Sequence, residues 1–122
     1  MSDEQNEQAA VCQYLQTVYP DVLFWSTPNG SYLAGNKGQR VAQINKLKRT
    51  GLLPGVSDLI IFEPRGQYSA MFLEMKRDKG GRLSENQEWF LSQVAQRNGY
   101  GAVANGFDEA REIIDKYLGG AK

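Results

Sequence analysis

What most restricts the fold of this chain is a pair of apolar runs with charges gathered at one end. Leu59-Ile60-Ile61-Phe62 contains no polar residue, which suits a β-strand covered on both faces. Ala70 to Lys76 follows across Pro64-Arg65-Gly66-Gln67, a turn signal short enough to predict a hairpin. Side chains along a strand alternate with a period of two. Met71, Leu73 and Met75 therefore share one face, and Phe72, Glu74 and Lys76 share the other. In a hairpin the start of one strand lies beside the end of the next. Asp58, just ahead of the first run, is thus expected to meet Glu74 and Lys76 at one end of the sheet.

The remaining pattern supplies layers around that pair. Val11, Tyr14, Leu15 and Val18 recur at helical spacing, predicting a helix over residues 3–19 that Ser2 or Asp3 caps and Pro20 stops. Val22 to Trp25 reads as a short strand, and Pro28-Asn29-Gly30 as a turn. Residues 36–50 read as a second helix with Val41, Ile44, Leu47 and Leu33 on its buried side, closed by Gly51. Ser84 opens a third helix, with Gln87 at the capping-box position and Trp89, Phe90, Val94 and Ala95 as its apolar stripe. Tyr100 to Ala104 is a strand. Phe107 to Leu118 is a last helix, with Asp108 and Glu109 near its start and Lys116 near its end. The order is α-β-α-β-β-α-β-α. We expect an α/β fold with a four-stranded mixed sheet flanked by helices, in a single domain over residues 1–122. No stretch reaches the roughly 18 apolar residues of a membrane span. The N-terminus lacks the basic and apolar regions of a signal peptide, so a cytoplasmic protein is expected.

Composition narrows the chemistry. The 122 residues include no histidine and one cysteine, Cys12. A Ser-His-Asp triad, a Cys-His pair, a histidine-metal centre, a multi-cysteine zinc site and an internal disulfide are all excluded. Cys12 reads as a small buried hydrophobe, and Trp25 and Trp89 read as core. What remains for catalysis is carboxylate, lysine, hydroxyl or a carboxylate-bound metal. Two carboxylates placed like Asp58 and Glu74 can hold a hard cation such as Mg²⁺, which takes oxygen ligands. A lysine beside them can orient or deprotonate a water, or neutralise charge developing on a phosphate. The plainer reading makes Glu74 and Lys76 an exposed ion pair at a strand end and Asp58 a strand-start cap.

Formal net charge is zero, from 14 Lys and Arg against 14 Asp and Glu, which on its own argues against a nucleic-acid partner. The total hides a segregation. Residues 1–25 carry Asp3, Glu4, Glu7 and Asp21 and no base, whereas residues 26–57 carry Lys37, Arg40, Lys46, Lys48 and Arg49 and no acid. Such a block is either a solvated helix face or a phosphate-facing patch.

Gly55-Val56-Ser57-Asp58 followed by Glu74-Met75-Lys76 resembles the PD-(D/E)xK nuclease signature. More narrowly, the chain resembles the stand-alone virus-type replication-repair nuclease (VRR-NUC) domain of phages and bacteria. The resemblance adds Glu4-x-x-x-Gln8, Pro28-Asn29-Gly30, Lys46-Leu47-Lys48-x-x-Gly51, Gly80-Gly81-Arg82-Leu83-Ser84 with Gln87, and Gly99-Tyr100. Ser57 stands where the family often has proline. The resemblance implies a restriction-endonuclease-like core and Asp58 and Glu74 as ligands of Mg²⁺ or Mn²⁺. It also implies Lys76 serving the attacking water, and a glutamate of the first helix, Glu4 or its rival Glu7, completing the site. Gln87 would support the lysine or the water, or else serve only as a helix cap partner. The implied activity is metal-dependent endonuclease cleavage of DNA in repair, on branched substrates such as four-way (Holliday) junctions, by a homodimer. Lys37, Arg40, Lys46, Lys48, Arg49, Arg77, Lys79 and Arg82 would then form a phosphate-contacting rim. The alternatives are a non-cleaving nucleic-acid-binding module of the same fold and an interaction subunit without nucleic acid.

Overall fold

Pro20 ends the first helix and the hairpin forms where the apolar runs place it. The computed structural model describes residues 3–27, 34–77, 79 and 81–119, with only the backbone of Asp3 and Glu4. The elements are α1 (Asp3–Val18), β1 (Phe24–Ser26), α2 (Lys37–Arg49), β2 (Leu59–Ile61), β3 (Met71–Lys76), α3 (Glu85–Gln96), β4 (Tyr100–Asn105) and α4 (Phe107–Leu118). Their order is the expected one. Ser2, the Pro28-Asn29-Gly30 turn, Leu33 and Gly80 lie outside the described residues.

The sheet runs β1-β2-β3-β4. The first two pairs are antiparallel and β4 is parallel to β3. A parallel neighbour needs a crossover, and α3 supplies it. Leu59, Ile61, Met71, Leu73, Met75 and Ala104 form one packed face with Val11 and Leu15 of α1 and Ala110 and Ile114 of α4. All three residues of β2 are buried, so that strand is covered on both sides as its composition demands. On the other face Phe90 of α3 meets Phe72 edge-on, ring centres 5.9 Å apart.

Helices α1 and α4 are tied by a polar cluster. Tyr14 and Tyr19 both donate to Asp115 Oδ1, at 2.6 and 2.7 Å. Burial raises both phenol pKa values, and the Asp115 carboxylate raises them further. The folded chain therefore keeps these protons to higher pH than the unfolded chain does. Their contribution to stability is complete below the ordinary tyrosine pKa of about 10 and is lost as pH rises above it. Urea titrations should show stability falling as pH rises above about 10. Tyr19→Phe should cost about 1–2 kcal/mol at pH 7 and flatten that fall, since it removes one hydrogen bond to a charged group. An equally steep fall in the variant would show that Tyr19 is not a source of the pH dependence.

Two expectations are corrected. Helix α2 has no buried residue: Val41 is 51% and Leu47 41% exposed, and Ile44 is half-buried. An apolar stripe records a tendency to pack, but the sheet's deeply packed face is already taken by α1 and α4. Trp25 and Trp89 are likewise surface residues, 44% and 50% exposed. Trp25 lies on the edge strand β1 against Phe62, and Trp89 on the flank of α3 over an open apolar cavity.

Candidate active site

The hairpin brings the polar residues together through its register. Leu59 pairs with Leu73, so one step back sets Asp58 opposite Glu74. Asp58 Oδ2 accepts the main-chain N–H of Met75 at 2.7 Å. That carboxylate takes a donor that a longer β2 would have used, which fits β2 beginning at Leu59. From the other side, Thr27 N donates to Asp58 O at 2.9 Å and Thr27 Oγ1 to Ser57 O at 2.6 Å. Asp58 is thereby held between β1 and β3 while remaining half-buried.

Glu74 is only 2% exposed. An ionised carboxylate that deep is costly unless charge or hydrogen bonds compensate it. Lys76 Nζ lies 3.9 Å from Glu74 Oε2, and Gln87 Nε2 donates to the same oxygen at 3.0 Å. The lysine side chain is itself only 12% exposed. A solvated strand-end ion pair does not describe this arrangement.

Gln87 is the helix cap partner and also reaches the candidate site, through Glu74 rather than through Lys76. Its Oε1 accepts from Ser84 N at 2.9 Å, and Ser84 Oγ accepts from Gln87 N at 3.2 Å. This capping box starts α3 and fixes the side chain whose amide reaches Glu74. Gly55, at φ +90, lets the chain ahead of Asp58 approach Asn86 closely; a Cβ there would stand 2.4 Å from Asn86 O. The start of α3 and the approach to β2 are therefore locked together, and each carries a site residue.

The two first-helix candidates differ. Glu7 Oε2 accepts the main-chain N–H of Phe107, while the Glu4 side chain lies outside the described residues. Among the described residues no group of three or more Asp, Glu or Cys side chains is placed to hold a metal ion. Asp58 and Glu74 offer oxygen alone, the donor type that Mg²⁺ and Mn²⁺ take. A cation beside the buried Glu74 would also offset the cost of its charge. The donors present thus fit a hard divalent cation, with further ligands to come from residues not described, from water or from substrate phosphate.

Lys37, Arg40, Lys46, Lys48 and Arg49 are all exposed along α2, which carries no acid. Lys48 and Ile44 line a groove with Leu52, Gly55 and Asn86, and this groove abuts the start of α3. Arg77, Lys79 and Arg82 are exposed after β3. The basic residues thus flank the carboxylates along the chain, and the α2 groove touches the element that carries Gln87.

The family model of the VRR-NUC domain matches residues 2–108. A solved structure titled "VRR_NUC domain protein" is 23% identical with a TM-score of 0.73, covering 100% of this chain and 98% of that one. A second, titled "VRR_NUC domain", is 17% identical with a TM-score of 0.64, covering 96% and 99%. At these identities the likeness is one of fold. No curated protein matches the chain.

Proposed function

Because the chain belongs to the VRR-NUC family of nuclease domains, we propose that it is a metal-dependent DNA endonuclease that selects branched substrates such as four-way junctions. The observation that carries this reading is the buried Glu74 carboxylate facing Asp58 across the hairpin, with Lys76 and Gln87 on it. Asp58 and Glu74 would hold Mg²⁺ or Mn²⁺, with Glu4 as a further ligand. Bound there, such a cation would supply Lewis-acid polarisation of the phosphodiester. Lys76 orients the attacking water or neutralises charge that develops on the phosphate. Gln87 keeps the Glu74 carboxylate in one orientation, which matters because catalytic groups must be placed to within a fraction of an ångström.

Cations on α2 and after β3 would grip the DNA backbone. Contacts of this kind fix register and orientation and carry no sequence information directly, so recognition by DNA shape follows. A homodimer would present two sites related by a two-fold axis, matching the symmetry of a four-way junction. The apolar side chains left bare on α2 are surface that such an assembly could cover.

A panel of single-stranded, duplex, flap and four-way DNA in Mg²⁺ tests this reading. Faster cutting of flap and four-way DNA than of linear duplex is the expected result, with affinity falling steeply as salt rises. Equal rates on all four would remove the selectivity for branched DNA, and no cutting of any would remove the nuclease.

A further inference from the structure

We infer that Glu7 is a positioning residue, which caps α4 from α1 and so holds the main chain of Lys76, and that it is not a metal ligand. The inference rests on the nuclease reading for its catalytic consequence and on hydrogen bonds for its geometry. The N-cap of helix α4 is Gly106, whose φ of 89° suits glycine and which has no side chain to cap the helix. The first N–H groups of a helix have no partner within it. Glu7 Oε2, brought over by α1, accepts the one on Phe107. A carboxylate at that end is also favoured by the helix dipole.

The same turn is attached to the site. Gly106 N donates to Lys76 O at 3.1 Å, and Asn105 pairs with Lys76 at the end of the β3–β4 ladder. Glu109 Oε1 accepts from Asn105 N at 3.0 Å. The junction between β4 and α4 is therefore pinned by one carboxylate from α4 itself and one from α1. Through Phe107 and Gly106 the second of these fixes where the Lys76 main chain ends, and with it the reach of Nζ toward Glu74. Glu7 is among the described residues, yet no group of three acids there is placed to bind a metal. Its carboxylate is committed to α4.

Two substitutions separate a cap from a ligand. Glu7→Gln keeps an oxygen that can accept from Phe107 N but lacks the charge a cation wants; Glu7→Ala lacks both. In Glu7→Ala we expect amide hydrogen exchange at Phe107 and Gly106 to accelerate. The single-turnover cleavage rate should fall by about 10- to 100-fold, the scale of a small misplacement near the reacting atoms. The DNA concentration at half-maximal rate and the Mg²⁺ requirement should stay unchanged. Glu7→Gln should restore both the exchange protection and most of the rate. Two results would overturn the inference. One is Glu7→Gln losing as much as Glu7→Ala with a raised Mg²⁺ requirement, as a ligand would. The other is unchanged protection of Phe107 and Gly106 in Glu7→Ala. A wild-type protein that did not cut would defeat the nuclease reading alone, since the exchange measurement reads the cap and its hold on Lys76 without cleavage.

Discussion

Cleavage of branched DNA by Lys76→Ala and Asp58→Asn proteins should fall by about 10²- to 10⁴-fold, the range for losing a positioned catalytic group, while DNA affinity changes little. Asparagine is the sharper choice at position 58. It keeps an oxygen that can accept from Met75 N, the bond that Asp58 Oδ2 now makes at 2.7 Å, so the hairpin end survives while the charge is lost. Lys76→Ala removes a cation 3.9 Å from a carboxylate that is 2% exposed, so its thermal stability is measured alongside its rate. Neither residue belongs to the exposed basic set on α2. Replacing Lys46 and Arg49 should do the reverse, weakening binding and flattening its salt dependence while sparing the rate at saturating DNA. If both site variants still cut near the wild-type rate, the assignment of this site is wrong.

The second large effect is on folding. Gly55→Ala meets two penalties at once. A residue with a Cβ at φ +90 is strained by about 1–3 kcal/mol, and here the Cβ would stand 2.4 and 2.5 Å from Asn86 O and C. Main chain cannot swing aside as a side-chain tip does, so overpacking adds about 1–3 kcal/mol. The sum, about 2–6 kcal/mol, should lower Tm by roughly 8–24 °C in a domain of this size. Gly51 is the control: its φ is +113 and nothing lies within 4 Å of a built Cβ. Gly51→Ala should show only the strain, about 1–3 kcal/mol. Equal losses in the two variants would show that the approach of residue 55 to α3 does not matter. Because that approach links Asp58 to Gln87, Gly55→Ala should also slow cleavage at temperatures where it stays folded.

Much of this was legible in the residues. The β2–β3 hairpin was written in two apolar runs and a turn, and the period of two then placed Glu74 and Lys76 on one face. Both are statements about neighbours in sequence. So is the Ser84–Gln87 capping box, although only the structure shows the same amide reaching Glu74. The misreadings came from asking a local pattern a global question. The stripe of Val41, Ile44 and Leu47 states that α2 has an apolar side, but whether another surface meets that side depends on where the other helices pack. Trp25 is apolar and yet lies on an edge strand, a position set by strand order. The Glu7 bond to Phe107 joins residues 100 apart in sequence, beyond any spacing rule, and a carboxylate in a first helix looks the same whether it faces a metal, a helix end or solvent. The one local hint was Gly106, a helix start with no side chain to cap it.

A carboxylate pair and a lysine, with a divalent cation, are proposed to cut DNA in a chain that has no histidine. The direct measurement is the cleavage of end-labelled four-way DNA by the purified wild-type protein in Mg²⁺, in Mn²⁺ and in EDTA. Discrete products are expected in both metals and none in the chelator. Products formed equally well in EDTA, or no product in either metal with DNA bound, would contradict the proposal.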